Sequence, residues 1–211
     1  GAALRPKDGE TACGDTVTAF RTESGLLCLL LADGMGSGEA ARKESALTCR
    51  LLRQFLEAGI APEAALKTLN SAMALRGADT GSFTTIDLVT CRPETGEAAV
   101  YKFGAAPSYL KKSGTVRRIT GGTLPAGLRG APAAPDVTNL TLEPGSFLVM
   151  IDGVADPARD EWLQDLLAGW SGDDPQTLAN FLLSESRHRE TLDDDCGIQI
   201  LYLPETPVKK V

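Results

Sequence analysis

The chain has 211 residues, of which 43% are hydrophobic and 23% are charged, enough to build one well-packed domain. Its formal net charge of −7 argues against a surface for nucleic acid or for anionic membranes, because such surfaces depend on clustered Lys and Arg. No apolar run reaches the roughly eighteen residues of a membrane helix. The first residues lack the apolar core of a signal peptide, so we expect a soluble domain, excised from a longer protein.

The cysteine and histidine content limits the redox compartment, the metal sites and the catalytic mechanisms that the chain is expected to have. The five cysteines are an odd number, widely spaced and without a C-x-x-C pair, which indicates a reduced, cytoplasmic compartment. The single histidine, His188, argues against a His-rich zinc site and against a Ser-His-Asp triad. Because its neighbours are charged, we expect His188 on the surface of a helix.

Hydrophobic periodicity and turn residues predict the elements in chain order. They are strands over 15–22 and 26–31, helices over 39–58 and 62–76, a meander of antiparallel strands over 82–118, a long loop over 121–135, strands over 137–142 and 147–151, helices over 159–169 and 175–188, a last strand over 197–203 and a frayed tail over 204–211. Helices come in two consecutive pairs between groups of strands. The predicted class is therefore α+β, with helices covering antiparallel sheets.

Aspartates adjoin three of the apolar, strand-like runs. Asp33-Gly34 follows one, Asp152-Gly153 follows another, and three aspartates at 193–195 precede the last. At about 5 Å and an effective dielectric of about 20, each pair of such charges repels by roughly 3 kcal/mol. If the fold gathers them, a divalent cation or protonation must offset this repulsion, and clustered carboxylates are typical ligands of Mg²⁺ and Mn²⁺. The recurrence therefore predicts a metal site.

Each acidic motif also has a purely structural interpretation. Asp33 suits an Asx-type bond in a glycine-rich turn, Asp152-Gly153 suits a simple turn, and residues 193–195 suit a solvated acidic turn. We interpret Asp156 and Asp160 as residues at the start of a helix. Only the recurrence of acids at three strand ends favours metal binding over these alternatives.

The glycine-rich segment 34–38 lies between a predicted strand and a predicted helix. It does not match a nucleotide-binding loop, because Glu39 stands where the dinucleotide fingerprint needs a glycine and no Gly-Lys-Ser/Thr is present. Glycine instead lets the backbone turn sharply, so that the carbonyl of Gly34 can approach a metal. Ser37 or Gly38 is then expected to start the helix.

One longer motif is specific enough to indicate a protein family. It is Asp-Gly-Met-Gly-Ser-Gly-Glu-Ala at residues 33–40, followed by Glu44-Ser45. Further matching motifs follow in order at 7–9, 14–16, 75–76, 83–88, 103–109, 124–128, 148–153 and 193–195. Together they cover about residues 7–203. The chain resembles the phosphatase domain of stage II sporulation protein E (SpoIIE) and its relatives, a branch of the PPM, or type 2C, metal-dependent Ser/Thr phosphatases.

The resemblance implies one domain over 1–211, with its core at about 7–203, built as a PPM-type αββα sandwich of two antiparallel sheets flanked by helix pairs. It also implies two Mn²⁺ or Mg²⁺ ions. Asp33 would bridge both ions, Gly34 would offer its carbonyl to the second, and Asp152 and Asp194 would complete the first. Asp15 matches the acid at the second ion. Within the acidic run, Asp193 and Asp195 stay open as alternatives to Asp194.

The implied activity is that of a phosphoserine/phosphothreonine protein phosphatase, in which Asp33, Asp152 and Asp194 act through a metal-activated water. By resemblance, the substrate and partner would be a phosphorylated anti-sigma-factor antagonist in a sporulation or stress pathway of the partner-switching type. Relatives are often fused to membrane or regulatory segments, so the domain could belong to a larger membrane-anchored protein. A homodimer is a further possibility. The alternative is a weakly active or inactive module that binds phosphoproteins.

The chain departs from the wider type 2C pattern at three points, at the first of which, Met35, it agrees with the SpoIIE-like branch. Met35 stands where many type 2C enzymes have a histidine, so a water or a nearby carboxylic acid must protonate the leaving group. Cys196-Gly197 replaces a Met-Thr pair, which predicts looser support of Asp194 through the lost hydroxyl. The arginine that grips phosphate in some relatives has no clear counterpart.

Overall fold

A computed structural model describes residues 1–80, 83–128, 134–189 and 194–205. Ten strands and four helices lie within these ranges. They are β1 (Ala2–Arg5), β2 (Asp15–Arg21), β3 (Leu27–Gly34), α1 (Gly38–Glu57), α2 (Pro62–Thr80), β4 (Thr84–Cys91), β5 (Glu97–Phe103), β6 (Ser108–Lys112), β7 (Thr115–Ile119), β8 (Asp136–Thr141), β9 (Phe147–Asp152), α3 (Glu161–Gly169), α4 (Pro175–Arg189) and β10 (Cys196–Tyr202). None of the described helices is long and apolar enough to cross a membrane.

The strands form two five-stranded antiparallel sheets. The first sheet has the order β2-β3-β4-β5-β8, and the second has the order β1-β10-β9-β6-β7. Residues such as Leu29, Leu31, Leu148 and Met150 pack in one buried cluster between them. Because β3 and β9 are buried on both faces, their sequences are continuous apolar runs rather than alternating ones.

Each sheet is covered on its outer face by one pair of helices. Leu52 of α1 and Leu66 of α2 pack against Leu30 in the first sheet. Leu163 of α3 and Leu178 of α4 belong to a second cluster, which also contains residues of β9 and β10. The resulting helix–sheet–sheet–helix layering confirms the predicted α+β class and αββα sandwich.

The prediction of one antiparallel meander over 82–118 is wrong, because the strands of this segment are divided between the two sheets. Strands β4 and β5 pair in the first sheet, whereas β6 and β7 pair in the second. Between them, residues 104–107 carry the chain from one sheet to the other. Gly104 has a φ of 60°, and a Cβ on it would lie 2.6 Å from Pro125, so this crossing needs a glycine. The edge position next to β5 is taken by β8 instead.

Strand β1 is not predicted by the sequence pattern, although it pairs with β10 in antiparallel register from Ala2↔Gln199 to Arg5↔Cys196. Four residues are too few to show a period of two, so only the long-range pairing reveals it. His188 is exposed in the last turn of α4, as expected. In the predicted loop, residues 121–128 contain an isolated bridge at Ala126, and residues 129–133 lie outside the described part. Of the predicted tail, residues 206–211 also lie outside it.

Two leucines of α2 offer a matched test of this packing. Leu66 is fully buried against the first sheet, whereas Leu75 is 79% exposed. We expect Leu66→Ala to lower the free energy of unfolding by about 2–5 kcal/mol, because it leaves a cavity. Leu75→Ala should change it by no more than about 0.5 kcal/mol. Urea denaturation measures both, and equal effects would contradict the position of α2 on the sheet.

Candidate metal centre

Strand pairing brings the acids of the two sheets to one end of the sandwich. In the first sheet, the β2–β3 register places Asp15 directly opposite Asp33. In the second sheet, the β9–β10 register places Asp152 opposite Gly197. One carboxylate oxygen from each of Asp15, Asp33 and Asp152 lies within 4.8 Å of the other two. Three acids that are far apart in sequence therefore form one cluster.

Asp194 stands slightly apart from this cluster. It is exposed, and it lines the same cavity of about 590 Å³ as Asp33 and Asp152. Its Oδ1 accepts a hydrogen bond from the backbone N–H of Asp195 at 2.9 Å. Asp194 is thus placed where it can meet a ligand that enters the cavity.

Asp195, the neighbouring candidate, points into the protein. Its side chain is buried, and its Oδ1 accepts a hydrogen bond from the backbone N–H of Lys7 at 2.9 Å. Its Oδ2 is buried without a hydrogen-bond partner in the described structure, and a Cβ on Gly14 would lie 2.7 Å from that oxygen. The third candidate, Asp193, lies outside the described residues. Of the two that are described, Asp194 is the one that faces the cavity.

Burial and mutual repulsion disturb the protonation of the cluster. Burial, followed by the charges of Asp152, Asp33 and Asp195, raises the pKa of Asp15 to about 10. Burial, the charge of Asp194 and that of Asp195 raise the pKa of Asp33 to about 7. The pKa of Asp152 is also raised well above its usual range, first by burial and then by Asp33 and Asp194. Without a cation, the folded chain therefore tends to keep protons on these acids.

The cluster fits a hard divalent cation. Neither side-chain oxygen of Asp15 has a hydrogen-bond partner among the described residues, although both are buried. Buried polar atoms of this kind need a partner, and clustered carboxylate oxygens are the ligands that Mg²⁺ and Mn²⁺ prefer. The sequence-predicted role of the Gly34 carbonyl stays a prediction. A side chain at Gly34 would collide with the backbone oxygen of Ala41, so glycine is what lets α1 pack close to the end of β3.

The segment between Asp33 and α1 is a turn of glycines in the left-handed region. Gly36 has a φ of 94° and Gly38 a φ of 68°. Helix α1 begins at Gly38, as predicted, with Ser37 at its N-cap. The Ser37 hydroxyl does not cap the helix but donates a hydrogen bond to Oε1 of Glu10 at 2.9 Å. No Asx-type bond to the Asp33 side chain is found in the described part of the chain, which weakens that alternative.

Gly197 has a role that the sequence interpretation missed. A Cβ at this position would lie 2.6 Å from Oδ2 of Asp15 and 2.7 Å from Cδ1 of Leu31. The missing side chain therefore leaves room for Asp15 between the two sheets. The glycine at position 197, where the family pattern has a threonine, therefore adds space beside Asp15 as well as removing a hydroxyl.

A buried ion pair next to the cluster is also missed by sequence reasoning. Lys102 and Asp87 face each other across β4 and β5, and Nζ of Lys102 donates to Oδ2 of Asp87 at 2.6 Å. The same Nζ donates to Oγ of Ser108 at 2.9 Å and to the carbonyl of Ala106, which lines the cavity, at 2.6 Å. Both charges act on the pKa of Asp152, so they lie within its electrostatic range. The available signal was the single charge of Asp87 within β4 and that of Lys102 between two aromatic residues of β5.

The carboxylate of Asp160 binds side chains of the second sheet instead of the start of α3. It directly precedes α3, but its side chain makes no capping hydrogen bond. It accepts a hydrogen bond from the Tyr109 hydroxyl at 2.5 Å and forms an ion pair with Arg118 at 3.0 Å. Asp156 does act locally, because it accepts hydrogen bonds from the backbone of Ala158 and the side chain of Arg159. Asp160 therefore stands at the start of a helix, as expected, although its carboxylate contacts Tyr109 and Arg118 instead of capping α3, whereas Asp156 lies in the preceding turn and not at the start of the helix.

A scan against protein families matches residues 23–203 to stage II sporulation protein E (SpoIIE). Two curated relatives are the stage II sporulation protein E of Priestia megaterium, 29% identical, and that of Bacillus subtilis (strain 168), 28% identical. Each match covers 99% of this chain. The chain spans only 37% and 26% of the length of these two relatives, respectively.

Among solved structures, the chain matches the PP2C phosphatase domain, with a fragment of the regulatory domain, of the cell fate determinant SpoIIE from Bacillus subtilis. The TM-score is 0.88 and the identity 28%, over 99% of this chain and 62% of that one. The two-sheet sandwich described above is therefore the fold of a PP2C phosphatase domain.

Removal of cations should make the stability of the chain depend on pH. The pKa of Asp15 rises from 3.8 to about 10 on folding, so the folded chain retains a proton that the unfolded chain releases. The contribution of this group is fully present below its unfolded pKa and is lost as the pH rises through its folded pKa. In a chelator, the free energy of unfolding should therefore fall from about pH 4 to about pH 10, by at most about 1.4 kcal/mol per pH unit for one proton.

Chemical denaturation at several pH values, with Asp15→Asn alongside, measures this slope. The variant has no carboxyl group at this position, so its stability should fall less steeply than that of the unchanged chain. Parallel slopes in the two proteins would show that Asp15 does not hold the proton.

The Lys102–Asp87 pair predicts an unequal response to single and double substitution. Lys102→Met leaves the Asp87 carboxylate buried without its cation and should cost about 3–5 kcal/mol of stability. Combining it with Asp87→Asn removes the stranded charge and should recover part of that loss. Lys67→Met, at an exposed ion pair on α2, should cost less than about 1 kcal/mol. Denaturant unfolding tests the order, and a double variant less stable than Lys102→Met would contradict it.

Proposed function

We propose that this chain, which belongs to the stage II sporulation protein E family, is a metal-dependent phosphoserine/phosphothreonine protein phosphatase. The observation that carries the proposal is the cluster of Asp15, Asp33 and Asp152, whose oxygens lie within 4.8 Å of one another beside an open cavity. Such a cluster is costly without a cation, and the PP2C fold of the chain supports its use in phosphate ester hydrolysis.

In this proposal Asp15, Asp33, Asp152 and Asp194, together with the Gly34 carbonyl, hold two Mn²⁺ or Mg²⁺ ions. When bound, such ions activate water as a nucleophile and offset negative charge on the phosphoryl oxygens. The strands supply rigidity, because Asp15 begins β2 while Asp33 and Asp152 lie at the ends of β3 and β9. Asp194 enters from the segment before β10 and faces the cavity.

The chain must also provide a proton for the departing serine or threonine oxygen. His188 is exposed on α4 and is not among the residues that line the cavity. Met35, which stands where many type 2C enzymes have a histidine, has no group that could donate. We therefore assign this step to a carboxylic acid of the cavity or to water.

For the substrate, we propose a phosphorylated anti-sigma-factor antagonist in a bacterial sporulation or stress pathway. The sporulation proteins among the relatives support a role in that pathway, and their greater length supports a place for the chain within a longer protein. We further propose that this longer protein is membrane-anchored, with its catalytic part in the cytoplasm. The net charge of −7 agrees with a protein partner rather than nucleic acid. Homodimer formation stays a prediction.

The test is hydrolysis of a phosphoserine peptide with Mn²⁺ by the unchanged chain, Asp152→Asn and Asp165→Asn. Asp165 is an exposed acid on α3 and serves as the matched control. Asp152→Asn should lose about 100-fold or more in kcat/KM, since even outer partners of metal ligands cost about 10–100-fold. It should also lose most of the rise in Tm that Mn²⁺ produces in the unchanged chain.

Equal activity in all three proteins would show that Asp152 is not a residue of the catalytic site. Binding of the phosphopeptide without hydrolysis, at any Mn²⁺ concentration, would favour the alternative of an inactive phosphoprotein-binding module. Replacing the peptide by a phosphorylated anti-sigma-factor antagonist then tests the substrate class, which should show the higher kcat/KM.

A further inference from the structure

We propose that Arg118 binds the phosphoryl group of the substrate in the cavity beside the carboxylate cluster. This inference rests on the proposed phosphatase function and adds to it the cationic side chain for which the sequence shows no counterpart.

The charge of the cavity wall is the first argument. Asp33, Asp152 and Asp194 line the cavity, and Arg118 is the one cationic residue among the described residues that line it. A phosphate group that enters meets repulsion of roughly 3 kcal/mol per unit of its negative charge from each carboxylate at about 5 Å and an effective dielectric of about 20, and thus about twice that as a dianion. Cations bound by the carboxylates would offset part of this repulsion. The guanidinium of Arg118 offsets a further part from another position on the cavity wall.

The strand order is the second argument. Asp152 ends β9, and Arg118 lies on β7, with only β6 between these strands in the second sheet. Two strand spacings amount to about 10 Å between the backbones. The register aligns Arg118 with Tyr109 and Tyr109 with Val149, three residues before Asp152 and on the face of the sheet that packs against α3 and α4. Arg118 therefore reaches the cavity from that face, at the edge of the sheet.

The contacts of the guanidinium are the third argument. Nε of Arg118 pairs with Oδ2 of Asp160 at 3.0 Å, and Nη2 donates to the carbonyl of Pro157, which also lines the cavity, at 2.6 Å. Asp160 is only 3% exposed and is itself fixed by the hydroxyl of Tyr109 at 2.5 Å and by Gln164 at 2.9 Å. The Arg118 side chain nevertheless remains 34% exposed.

This arrangement resembles a prepared binding group more than a surface ion pair. A guanidinium whose orientation is fixed before binding loses little conformational entropy when it meets a phosphate, and its planar fork matches phosphate oxygens. The buried Asp160 therefore serves to aim Arg118, which explains why this carboxylate does not cap α3.

The experiment compares Arg118→Ala with Arg117→Ala. Arg117 is exposed and lies on the same strand, but the next residue of a strand projects to the other face, and Arg117 does not line the cavity. The dissociation constant of inorganic phosphate is measured by calorimetry on the Mg²⁺-loaded chain, and KM is measured with a phosphoserine peptide. Arg118→Ala should raise both by about 10- to 100-fold, as expected for a lost charged hydrogen bond. Arg117→Ala should change them less than about threefold.

Arg118→Lys provides a second variant that keeps the charge but loses the planar fork. It should fall between the unchanged chain and Arg118→Ala in both constants. The rise in Tm with Mg²⁺ should persist in all variants, which would locate the effect in phosphate binding rather than in the carboxylate cluster.

Equal constants for Arg118→Ala and Arg117→Ala would overturn the proposal. Loss of the Mg²⁺-dependent rise in Tm in Arg118→Ala would also overturn it, since the defect would then lie in the cation site. Phosphate binding that depends on Arg118, in a chain that hydrolyses no phosphopeptide, would support the role of Arg118 while refuting the phosphatase assignment. The two proposals can therefore fail separately.

Discussion

Mutual repulsion among Asp15, Asp33 and Asp152 is the constraint on which the rest of this structure depends. Three carboxylates within 4.8 Å of one another, largely out of water, are stable only with bound protons or cations. The two sheets supply the rigid backbone that holds the acids together in spite of the repulsion. Gly197 supplies the space that Asp15 occupies, and the raised pKa values express the cost that remains.

The features that local sequence pattern could predict are those governed by period and by turn chemistry. Continuous apolar runs indicated β3 and β9, amphipathic spacing indicated the two helix pairs, and the aspartates beside these runs indicated where acids could gather. The motif resemblance then placed the elements in one sandwich. Asp15 entered the candidate set only through that resemblance, because nothing in its immediate neighbourhood distinguishes it from a solvated turn residue.

What the sequence could not reveal is set by contacts between distant residues. The switch of sheets between β5 and β6 depends on how residues 104–107 pack against Pro125, and β1 exists only because β10 offers it an edge. The pairing of Lys102 with Asp87 likewise follows from strand register. Asp160 shows the same limit at one residue, since its position suggests a helix cap while Tyr109 and Arg118 take its carboxylate.

The acid cluster draws on both layers of the sandwich, since Asp15 and Asp33 belong to the first sheet and Asp152 to the second. A cation bound there would have ligands from both sheets, so the sheets could not separate without releasing it. The free energy of that release adds to the barrier against the open forms on which proteases act. If the proposed site binds its cation, the lifetime of the folded chain depends on the concentration of that cation.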